Sequence, residues 1–392
     1  MQQADPLIRT KLRPPFTRRE LVPRPRLQAR VVEGLGRPLT LITAPAGFGK
    51  TTLVASCIAE CGTPVAWLSL DRDDNRVGRF LKYLVAALQE ANSSIGDEAA
   101  QLVAASPQVP PEAILTHLVN DLERANTDTV LVLDDYQFIS SQAVHEAVAF
   151  LLDHCPNTFH LVIATRSDPA LPLARLRARG QLVELRTADL RFTASEAAQF
   201  LNDVMGLRLD AEAVAVLDER TEGWIAGLQM AALSMQGREE VAGFIEGFSG
   251  TNRYILDYLL EEVLAREPED VQAFLLQTSI LKQLTAPLCD AVTGGSGGQE
   301  MLERLEQRNL FLVPLDDERR WYRYHHLFAD LLQARLHKSA SYPVERLLSR
   351  AAGWCARQEQ VDAAIGYALA AQDTEQAAGL IASHWHHTAN RG

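Results

Sequence analysis

Three short groups of residues have the types and spacing needed for chemistry on a phosphate group. The first is Lys50-Thr51, which follows the small-residue turn Ala44-Pro-Ala-Gly-Phe-Gly49. The others are Asp134-Asp135 and Arg166, each of which follows an apolar run. An ammonium group can bind phosphate oxygens, a hydroxyl and a carboxylate can hold Mg²⁺, and a guanidinium can respond to the charge of a terminal phosphate. Together the three groups indicate chemistry on a nucleotide.

The first group matches the phosphate-binding loop G-x-x-x-x-G-K-[ST], with Ala44 in place of the first glycine. A β-prone run precedes the turn and a helical pattern follows it, which is the context that such a loop requires. Backbone N–H groups after Pro45 can converge on phosphate oxygens, and the start of the helix adds partial positive charge. We therefore predict that nucleotide contacts come from Ala46, Gly47, Phe48, Gly49, Lys50 and Thr51, with Thr51 also a ligand of Mg²⁺. The alternative is a glycine turn before an ordinary helix.

Asp134, Asp135 and Arg166 fit the magnesium-binding and hydrolytic part of the same nucleotide site. Four apolar residues lead into Asp134, as in a Walker B strand. We predict that Asp134 orients Mg²⁺ and that Asp135 polarises the attacking water. Arg166 ends the next apolar strand, and parallel strands deliver their carboxyl ends to one ligand crevice, so we predict that it senses the γ-phosphate. The alternatives are a plain loop start for the acidic pair and an ordinary surface arginine.

The elements that would position these residues alternate between strand and helix as far as residue 190. Residues 7–38 are rich in proline and arginine, which predicts an extended arm until about Leu27. Apolar strands that alternate with helices indicate a parallel sheet covered on both faces. The predicted strands are 39–43, 64–70, 129–133 and 159–166. The predicted helices between them are one that opens at Lys50 and includes Cys57 and Cys61, and those at 77–91, 112–125 and 143–155.

Beyond residue 190 the pattern becomes helical. Thr193-Ala-Ser-Glu196 is a capping box, and helical spacing continues to residue 308. Residues 310–324 predict a β-hairpin before a helix that begins near His326, which makes a winged helix plausible. Residues 344–384 predict two helices broken near Gln372, as at the start of a helical-repeat array. The predicted domains are a nucleotide-binding P-loop domain with its arm at 1–192, a helical domain at 193–265, a winged-helix domain at 266–340 and the start of a helical arm at 341–392.

The composition narrows the class of protein. A net charge of −12 argues against nonspecific nucleic-acid binding by the whole surface, although a local basic patch is compatible with it. The five cysteines are scattered without a Cys-x-x-Cys pair, which predicts reduced, mostly buried thiols. No apolar run is long enough to span a bilayer, and the first residues lack the apolar centre of a signal peptide. The cytoplasm is the expected location, with no membrane partner.

Six ordered motifs resemble those of one known family. They are Ala44-Pro-Ala-Gly-Phe-Gly-Lys-Thr-Thr-Leu53, Ala66-Trp-Leu-Ser-Leu-Asp71, Leu133-Asp-Asp-Tyr136, Thr165-Arg-Ser-Asp168, Glu222-Gly-Trp-Ile-Ala-Gly-Leu-Gln229 and Tyr324-His-His-Leu-Phe328. The chain is similar, over nearly all its length, to the large ATP-binding LuxR-type transcriptional regulators of the STAND class of signal-transduction ATPases. The resemblance implies an AAA+/STAND-like α/β P-loop domain, then an all-helical domain, a winged-helix domain and the start of a helical arm. Members of that family continue into a superhelical sensor and a C-terminal helix-turn-helix.

The resemblance also implies roles for individual residues. It places Val22 and Arg24 near the adenine, and residues 50–52, including Thr52, at the phosphates and Mg²⁺. It makes Asp134 and Asp135 the Walker B pair and Arg166 the sensor, and it places His325 at the β-phosphate of ADP. Related proteins carry a Gly-x-Pro motif, whereas here Ile225 follows Gly223-Trp224. A proline contact with the adenine is therefore replaced by apolar packing.

The leading hypothesis is a molecular switch. ADP would hold a closed resting monomer, inducer and ATP would favour an open form that self-associates, and slow ATP hydrolysis would reset it. The inducer is unknown, and promoter DNA would be bound through a C-terminal domain. One alternative is a mechanical AAA+-like P-loop ATPase that acts on DNA or protein, and a weaker one is a small-molecule kinase.

Overall fold

The computed structural model describes residues 6–16, 20–105, 109–236, 242–339 and 341–389. The chain forms two compact units. The first comprises Met1–Arg208 with Trp224–Ala226, and the second comprises Leu209–Gly223 with Gly227–Gly392. Residues 17–19 of the predicted arm lie outside the described residues. Among the described residues, no helix combines the length and the apolar character needed to cross a bilayer.

The first unit is built on a five-stranded sheet whose paired strands are all parallel. This confirms the predicted α/β P-loop class. Strands β1 to β5 have the spatial order β2-β3-β4-β1-β5, so the chain places β1, β3 and β4 inside the sheet. Every residue of these three central strands is buried, as their apolar runs require of a sheet covered on both faces. The strand bounds are Leu39–Thr43, Val65–Ser69, Thr129–Asp134, Phe159–Thr165 and Leu182–Leu185.

The helices of the first unit cover this sheet. Helix α1 starts at Pro25, slightly before the predicted Leu27, because proline at the first helical position loses no hydrogen bond. Helix α4 was not predicted because it is short. The edge strand β5 was not predicted because it alternates buried with half-buried residues. Helices α1 to α9 are Pro25–Gly34, Lys50–Glu60, Val77–Ala91, Asp97–Ala105, Pro111–Ala125, Gln142–His154, Leu173–Ala178, Thr187–Leu190 and Ala194–Gln199. Short 3-10 turns span Arg9–Leu12, Arg72–Asn75 and Tyr136–Phe138, and a π-helical turn spans Phe200–Val204.

Helix α9 begins at the capping box that the sequence predicts. The Thr193 side chain accepts a hydrogen bond from the Glu196 backbone N–H, and the Glu196 carboxylate accepts one from the Thr193 N–H. Two backbone donors at the helix start are thereby satisfied.

The second unit is mostly helical, with one small hairpin. Strands β6 (Leu312–Pro314) and β7 (Tyr322–Tyr324) pair antiparallel, and α17 follows from His326, which confirms the predicted hairpin and helix. Its helices α10 to α17 are Ala211–Thr221, Ile225–Met235, Ala242–Glu246, Arg253–Glu262, Glu269–Thr278, Ala286–Thr293, Gly298–Gln307 and His326–Lys338, with a 3-10 turn at Leu264–Arg266. The first two residues of α11 belong to the first unit.

The last part of the second unit holds three helices where the sequence predicted two. Helices α18 (Val344–Arg357), α19 (Val361–Ala370) and α20 (Thr374–Ala389) are separated by two breaks. Glu359 and Gln372 adopt left-handed backbone angles, with φ of 59° at both, and end the helices before them. The break at Gln372 was predicted. The break at Gln372 carries a capping signal in Asp373, whose carboxylate accepts from the Gln376 N–H at 2.9 Å. The break at Glu359 was missed because Gln360, which precedes the next helix, provides no side-chain cap.

Candidate functional site

The loop between β1 and α2 has the backbone that phosphate binding needs. Gly47 and Gly49 adopt φ of 78° and 76°, which side-chain-bearing residues rarely tolerate. A Cβ atom on Gly49 would also stand 2.9 Å from the Ile225 Cδ1 atom. Ala44, in place of the first glycine, is fully buried, and its N–H donates to the Thr165 carbonyl at 3.3 Å. The loop is therefore shaped by its two remaining glycines and fits alanine at its start.

Lys50 is buried at the start of α2. Its ammonium donates to the carbonyl oxygens of Ala44 at 2.7 Å and Pro45 at 2.8 Å. Burial, and after it the nearby positive charge of Arg166, lower the pKa of Lys50 to about 7, against the opposing effect of the Asp135 and Asp134 carboxylates. Arg166 therefore lies close enough to Lys50 for their charges to interact. This places the predicted sensor beside the predicted phosphate-binding lysine.

The two predicted magnesium ligands meet at the end of β3. The Thr51 hydroxyl donates to the Asp134 Oδ1 atom at 2.9 Å, and Asp134 is buried. Burial, and after it the charge of Asp135, raise the pKa of Asp134 to about 6, while the Thr51 hydrogen bond works in the opposite direction. A hydroxyl and a carboxylate are oxygen ligands of the kind that Mg²⁺ prefers, and Mg²⁺ commonly takes few protein ligands besides phosphate. Thr52, next along the helix, has an exposed side chain.

Asp135 sits in a tight turn that the sequence did not reveal. Its φ is 58°, in the left-handed region, and its carboxylate accepts a hydrogen bond from the Gln137 Nε2 atom at 2.8 Å. The Gln137 Oε1 atom in turn accepts from the Arg166 backbone N–H at 3.0 Å. Strands β3 and β4 are neighbours in the sheet, which brings these two strand ends together. Gln137 is thus a site residue that the sequence reading missed, and nothing in the local pattern distinguished it from a polar loop residue.

A segment far along the chain packs on the outer side of the loop. The Trp224 indole, fully buried, donates from Nε1 to the Ala46 carbonyl at 2.9 Å. The Ala226 N–H donates to the Gly47 carbonyl at 3.0 Å. The motif around Trp224 was noted in the sequence, but its contact with the loop was not predicted. Residues 224–226 therefore hold two carbonyl groups of the loop in place.

The phosphate-binding residues thus fit a magnesium nucleotide. The left-handed glycines shape the backbone of the loop, and the buried Lys50 lies directly after them. Of the predicted loop contacts, Ala46 and Phe48 have buried side chains, so only their backbone groups can serve a ligand. The structure brings together Lys50, Thr51, Asp134, Asp135 and Arg166, whose roles toward a nucleotide stay predictions.

Arg24 lies in a separate buried cluster of the first unit. Its guanidinium donates to the Arg191 carbonyl at 2.7 Å and to Glu196 at 3.2 Å, and it stacks over the Phe192 ring at 4.9 Å. Burial lowers the pKa of Arg24, while the charge of Glu196 opposes this. Val22, two residues earlier, is half-buried. Contact of these two residues with an adenine stays a prediction.

His325 belongs to a buried polar cluster of the second unit. Its Nε2 atom is 2.8 Å from the Thr221 carbonyl, and its ring meets the Phe311 ring edge to face. Beside it, the Arg323 guanidinium donates two hydrogen bonds to Glu222, at 2.7 and 2.8 Å. Burial works to raise the pKa of Glu222, but hydrogen bonding from Arg323 and the charge of His325 outweigh it and lower that pKa to about 2. Contact of His325 with a β-phosphate stays a prediction.

Comparisons with known protein families match two parts of the chain. Residues 24–164 match the AAA ATPase domain, and residues 260–344 match the MalT winged helix domain. Both matches agree with the P-loop and winged-helix predictions.

Two curated relatives match nearly the whole chain. The serine/threonine-protein kinase PknK of Mycobacterium tuberculosis is 35% identical over 379 residues, which are 96% of this chain and 34% of that protein. The HTH-type transcriptional regulator MalT of Serratia proteamaculans is 35% identical over 389 residues, which are 97% of this chain and 43% of that protein. The chain therefore spans less than half the length of either relative. These matches confirm the resemblance drawn from the six motifs.

A solved structure shares the fold. A Walker-type ATPase of Pyrococcus abyssi superposes with a TM-score of 0.58 at 18% identity, covering 82% of this chain and 99% of that chain. At that level of identity the likeness supports the architecture alone.

Proposed function

Because this chain is a MalT-like protein that carries an AAA ATPase domain and a MalT winged-helix domain, we propose that it is the ATP- and ADP-dependent switch of a transcriptional regulator. The observation that carries the proposal is the group formed by Lys50, Thr51 and Asp134 behind the two left-handed glycines of the loop. A P-loop of this shape with a hydroxyl and a carboxylate 2.9 Å apart is suited to a nucleotide and Mg²⁺.

Each residue of the site has a separate task in this proposal. The Lys50 ammonium and the backbone N–H groups of residues 46–51 bind the phosphates. Thr51 and Asp134 hold Mg²⁺, which would neutralise charge on the terminal phosphates. Asp135 orients the attacking water, and Arg166 responds to the loss of the terminal phosphate. The arm residues Val22 and Arg24 contact the adenine, while the exposed Thr52 contributes through its backbone.

The switch rests on a difference in affinity between two forms. We propose that ADP, with His325 at its β-phosphate, favours a closed resting monomer, and that inducer and ATP favour an open form that self-associates. Reversing a population from 1:99 to 99:1 requires about 5.5 kcal/mol of differential binding. A hydrogen bond to a charged group contributes about 1.5 to 3 kcal/mol, so His325 alone is insufficient and burial between domains must add to it. Slow hydrolysis of ATP to ADP and phosphate resets the switch.

The remaining parts of the proposal concern the longer protein. The domain division at 1–192, 193–265, 266–340 and 341–392 is retained, with the arm continuing into a sensor for an unknown inducer. Promoter DNA is bound through a C-terminal domain, and the protein acts in the cytoplasm. The lengths of the two curated relatives support a longer protein, since both relatives extend well beyond the matched region. One of those relatives is named as a protein kinase, so the same switch can be joined to an output other than DNA.

Nucleotide binding by the purified chain tests the proposal. Isothermal titration with ADP and with magnesium ATP is compared for the wild type, Lys50→Ala and the control Lys338→Ala, which removes an exposed lysine at the end of α17. We expect Lys50→Ala to weaken binding by at least about tenfold, equivalent to about 1.4 kcal/mol, and Lys338→Ala to leave it unchanged.

Two results would contradict the proposal. One is a wild-type chain that binds neither nucleotide, and the other is equal affinity in Lys50→Ala. Steady-state ATP turnover well above about one per second would instead favour a mechanical ATPase, since regulatory hydrolysis without a dedicated arginine finger is slow.

A further inference from the structure

The side chain of Gln137 joins Asp135 to Arg166, which lies 29 residues after Gln137 in the sequence. Its Nε2 atom donates to the Asp135 Oδ1 atom at 2.8 Å, and its Oε1 atom accepts from the Arg166 backbone N–H at 3.0 Å. Both ends of one amide are therefore used, one on the proposed water-orienting carboxylate and the other on the strand end that carries the proposed sensor.

The orientation of this amide follows from the chemistry of its partners. An ionised carboxylate can only accept hydrogen bonds, so the NH₂ end of Gln137 must face Asp135. A backbone N–H can only donate, so the carbonyl end must face Arg166. Flipping the amide would break both hydrogen bonds at once. An amide satisfies both partners simultaneously, whereas a charged glutamate only accepts and a charged lysine only donates.

The turn that carries Gln137 is held from both sides. The Tyr136 hydroxyl lies 2.9 Å from the His145 Nδ1 atom, in a buried pair. Asn75 binds the other end of the turn: its Nδ2 atom donates to the Phe138 carbonyl at 2.7 Å. The Asn75 Oδ1 atom also accepts from the backbone N–H of residues 140 and 141, at 2.7 and 2.8 Å. The backbone on either side of Gln137 is therefore fixed before any ligand contributes.

Resting on the proposed function, we propose that Gln137 is a positioning residue for ATP hydrolysis. In that reaction the water oxygen bonds to the terminal phosphorus, the bond to the ADP oxygen breaks, and the released proton passes to the Asp135 carboxylate. Gln137 occupies one carboxylate oxygen of Asp135 and so fixes the direction in which the other can act. Because the same amide holds the Arg166 N–H, displacement of Arg166 after phosphate release also loosens Asp135. The hydrolysing residue and the sensor thus respond together.

The first experiment separates catalysis from binding. Single-turnover hydrolysis of ATP and the Kd for ADP are measured for the wild type, Gln137→Met and Gln137→Ala. Methionine keeps the length of the side chain without either hydrogen bond, and alanine removes both length and hydrogen bonds. The matched control is Gln142→Met, which changes an exposed glutamine at the start of α6. We expect both Gln137 variants to hydrolyse at least about tenfold more slowly, which is part of the roughly 10²- to 10⁴-fold that a positioned acid–base group contributes, with the Kd for ADP changed less than twofold.

A double-mutant cycle tests whether Gln137 acts through Asp135. If it does, adding Gln137→Met to Asp135→Ala should not slow hydrolysis further, because residues that act as a unit are not additive. Independent, multiplying effects of the two substitutions would overturn the proposal. So would an unchanged hydrolysis rate in Gln137→Met, or equal losses of rate and affinity, which would indicate a merely structural role.

The outcome for the wild type separates this inference from the proposed function. A wild type that fails to bind ADP removes the proposed function itself. If the wild type binds ADP and hydrolyses ATP, and the Gln137 variants hydrolyse at the same rate, only the positioning role is overturned. Binding without any hydrolysis also overturns the positioning role, since Asp135 then has no water to direct.

Discussion

Replacing Trp224 with phenylalanine should weaken nucleotide binding through the loop rather than through any direct contact. The indole Nε1 donates to the Ala46 carbonyl at 2.9 Å in a fully buried position, and phenylalanine has no donor to take its place. A buried carbonyl left without its donor costs about 1 to 3 kcal/mol. The smaller ring adds a loss of about 1 kcal/mol in buried apolar contact. The free energy of unfolding of the first unit should therefore fall by about 2 to 4 kcal/mol.

Part of that loss should appear in affinity. Residues 224–226 hold the Ala46 and Gly47 carbonyls, so without this contact the loop spends less time in the shape that directs its N–H groups to phosphate. A binding-competent fraction reduced to a tenth raises the apparent Kd by about tenfold. Isothermal titration with ADP measures the Kd, and chemical denaturation of the same samples measures the free energy of unfolding.

Trp67→Phe is the matched control for this prediction. Trp67 is also buried, but its Nε1 donates at 2.8 Å to Ser69 on its own strand and not to the loop. We expect it to lower the free energy of unfolding without changing the Kd for ADP. The reasoning is refuted if Trp224→Phe destabilises the fold with the Kd unchanged, or if both variants change the Kd equally.

Three further predictions follow from other features of the two units. Gly49→Ala should weaken ADP binding by more than about tenfold. At φ of 76° the alanine backbone is strained by about 1 to 2 kcal/mol, and the new Cβ atom would clash with the Ile225 side chain at 2.9 Å. The control Gly206→Ala has similar strain with no neighbour within 4 Å, and titration should show that its Kd for ADP is unchanged. Glu222→Gln should lower the stability of the second unit at neutral pH by about 1.5 to 3 kcal/mol, measured by urea denaturation. Since the folded pKa of Glu222, about 2, lies below its ordinary value of 4.5, this stabilisation is complete above pH 4.5 and is lost as the pH falls towards 2; an equal acid-induced loss in Glu222→Gln would contradict the assignment. His325→Ala should raise the Kd for ADP by about tenfold, which is the value of one hydrogen bond to a charged group. The control His337→Ala, at an exposed position, should leave the Kd unchanged. Equal affinities of the wild type and His325→Ala by titration would exclude the predicted β-phosphate contact.

The sequence predicted those parts of the site that depend on local pattern. The loop before Lys50 and the acidic pair at the end of β3 were identified from residue type and spacing. The structure brings them together because β1 and β3 lie on either side of β4 in a parallel sheet, so both strands end at the same edge. The contacts of Trp224 and Gln137 could not be read in the same way. Trp224 reaches Ala46 across 178 residues, and no local pattern encodes a pairing of that length. Gln137 contacts Arg166 only because β4 pairs with β3 in the folded sheet.

Local structure was missed for a related reason. Glu359 ends α18 in a left-handed conformation that glycine usually marks, and Gln360 gives the next helix no side-chain cap, so the sequence carried no warning of the break. Strand β5 lies at the edge of the sheet and alternates buried with half-buried residues, so it lacks the continuous apolar run of the central strands. In both places the surrounding fold, and not the residue types, decided the conformation.

The hydrogen bonds that Lys50 makes to Ala44 and Pro45 have a consequence for nucleotide selectivity. Because an ammonium carries three N–H donors, these two hydrogen bonds tie the lysine to the backbone of the loop and leave one donor for an arriving anion. A multiply charged phosphate gains more from a cation held in this way than a weakly charged ligand does, so we expect the loop to favour polyphosphates over small anions.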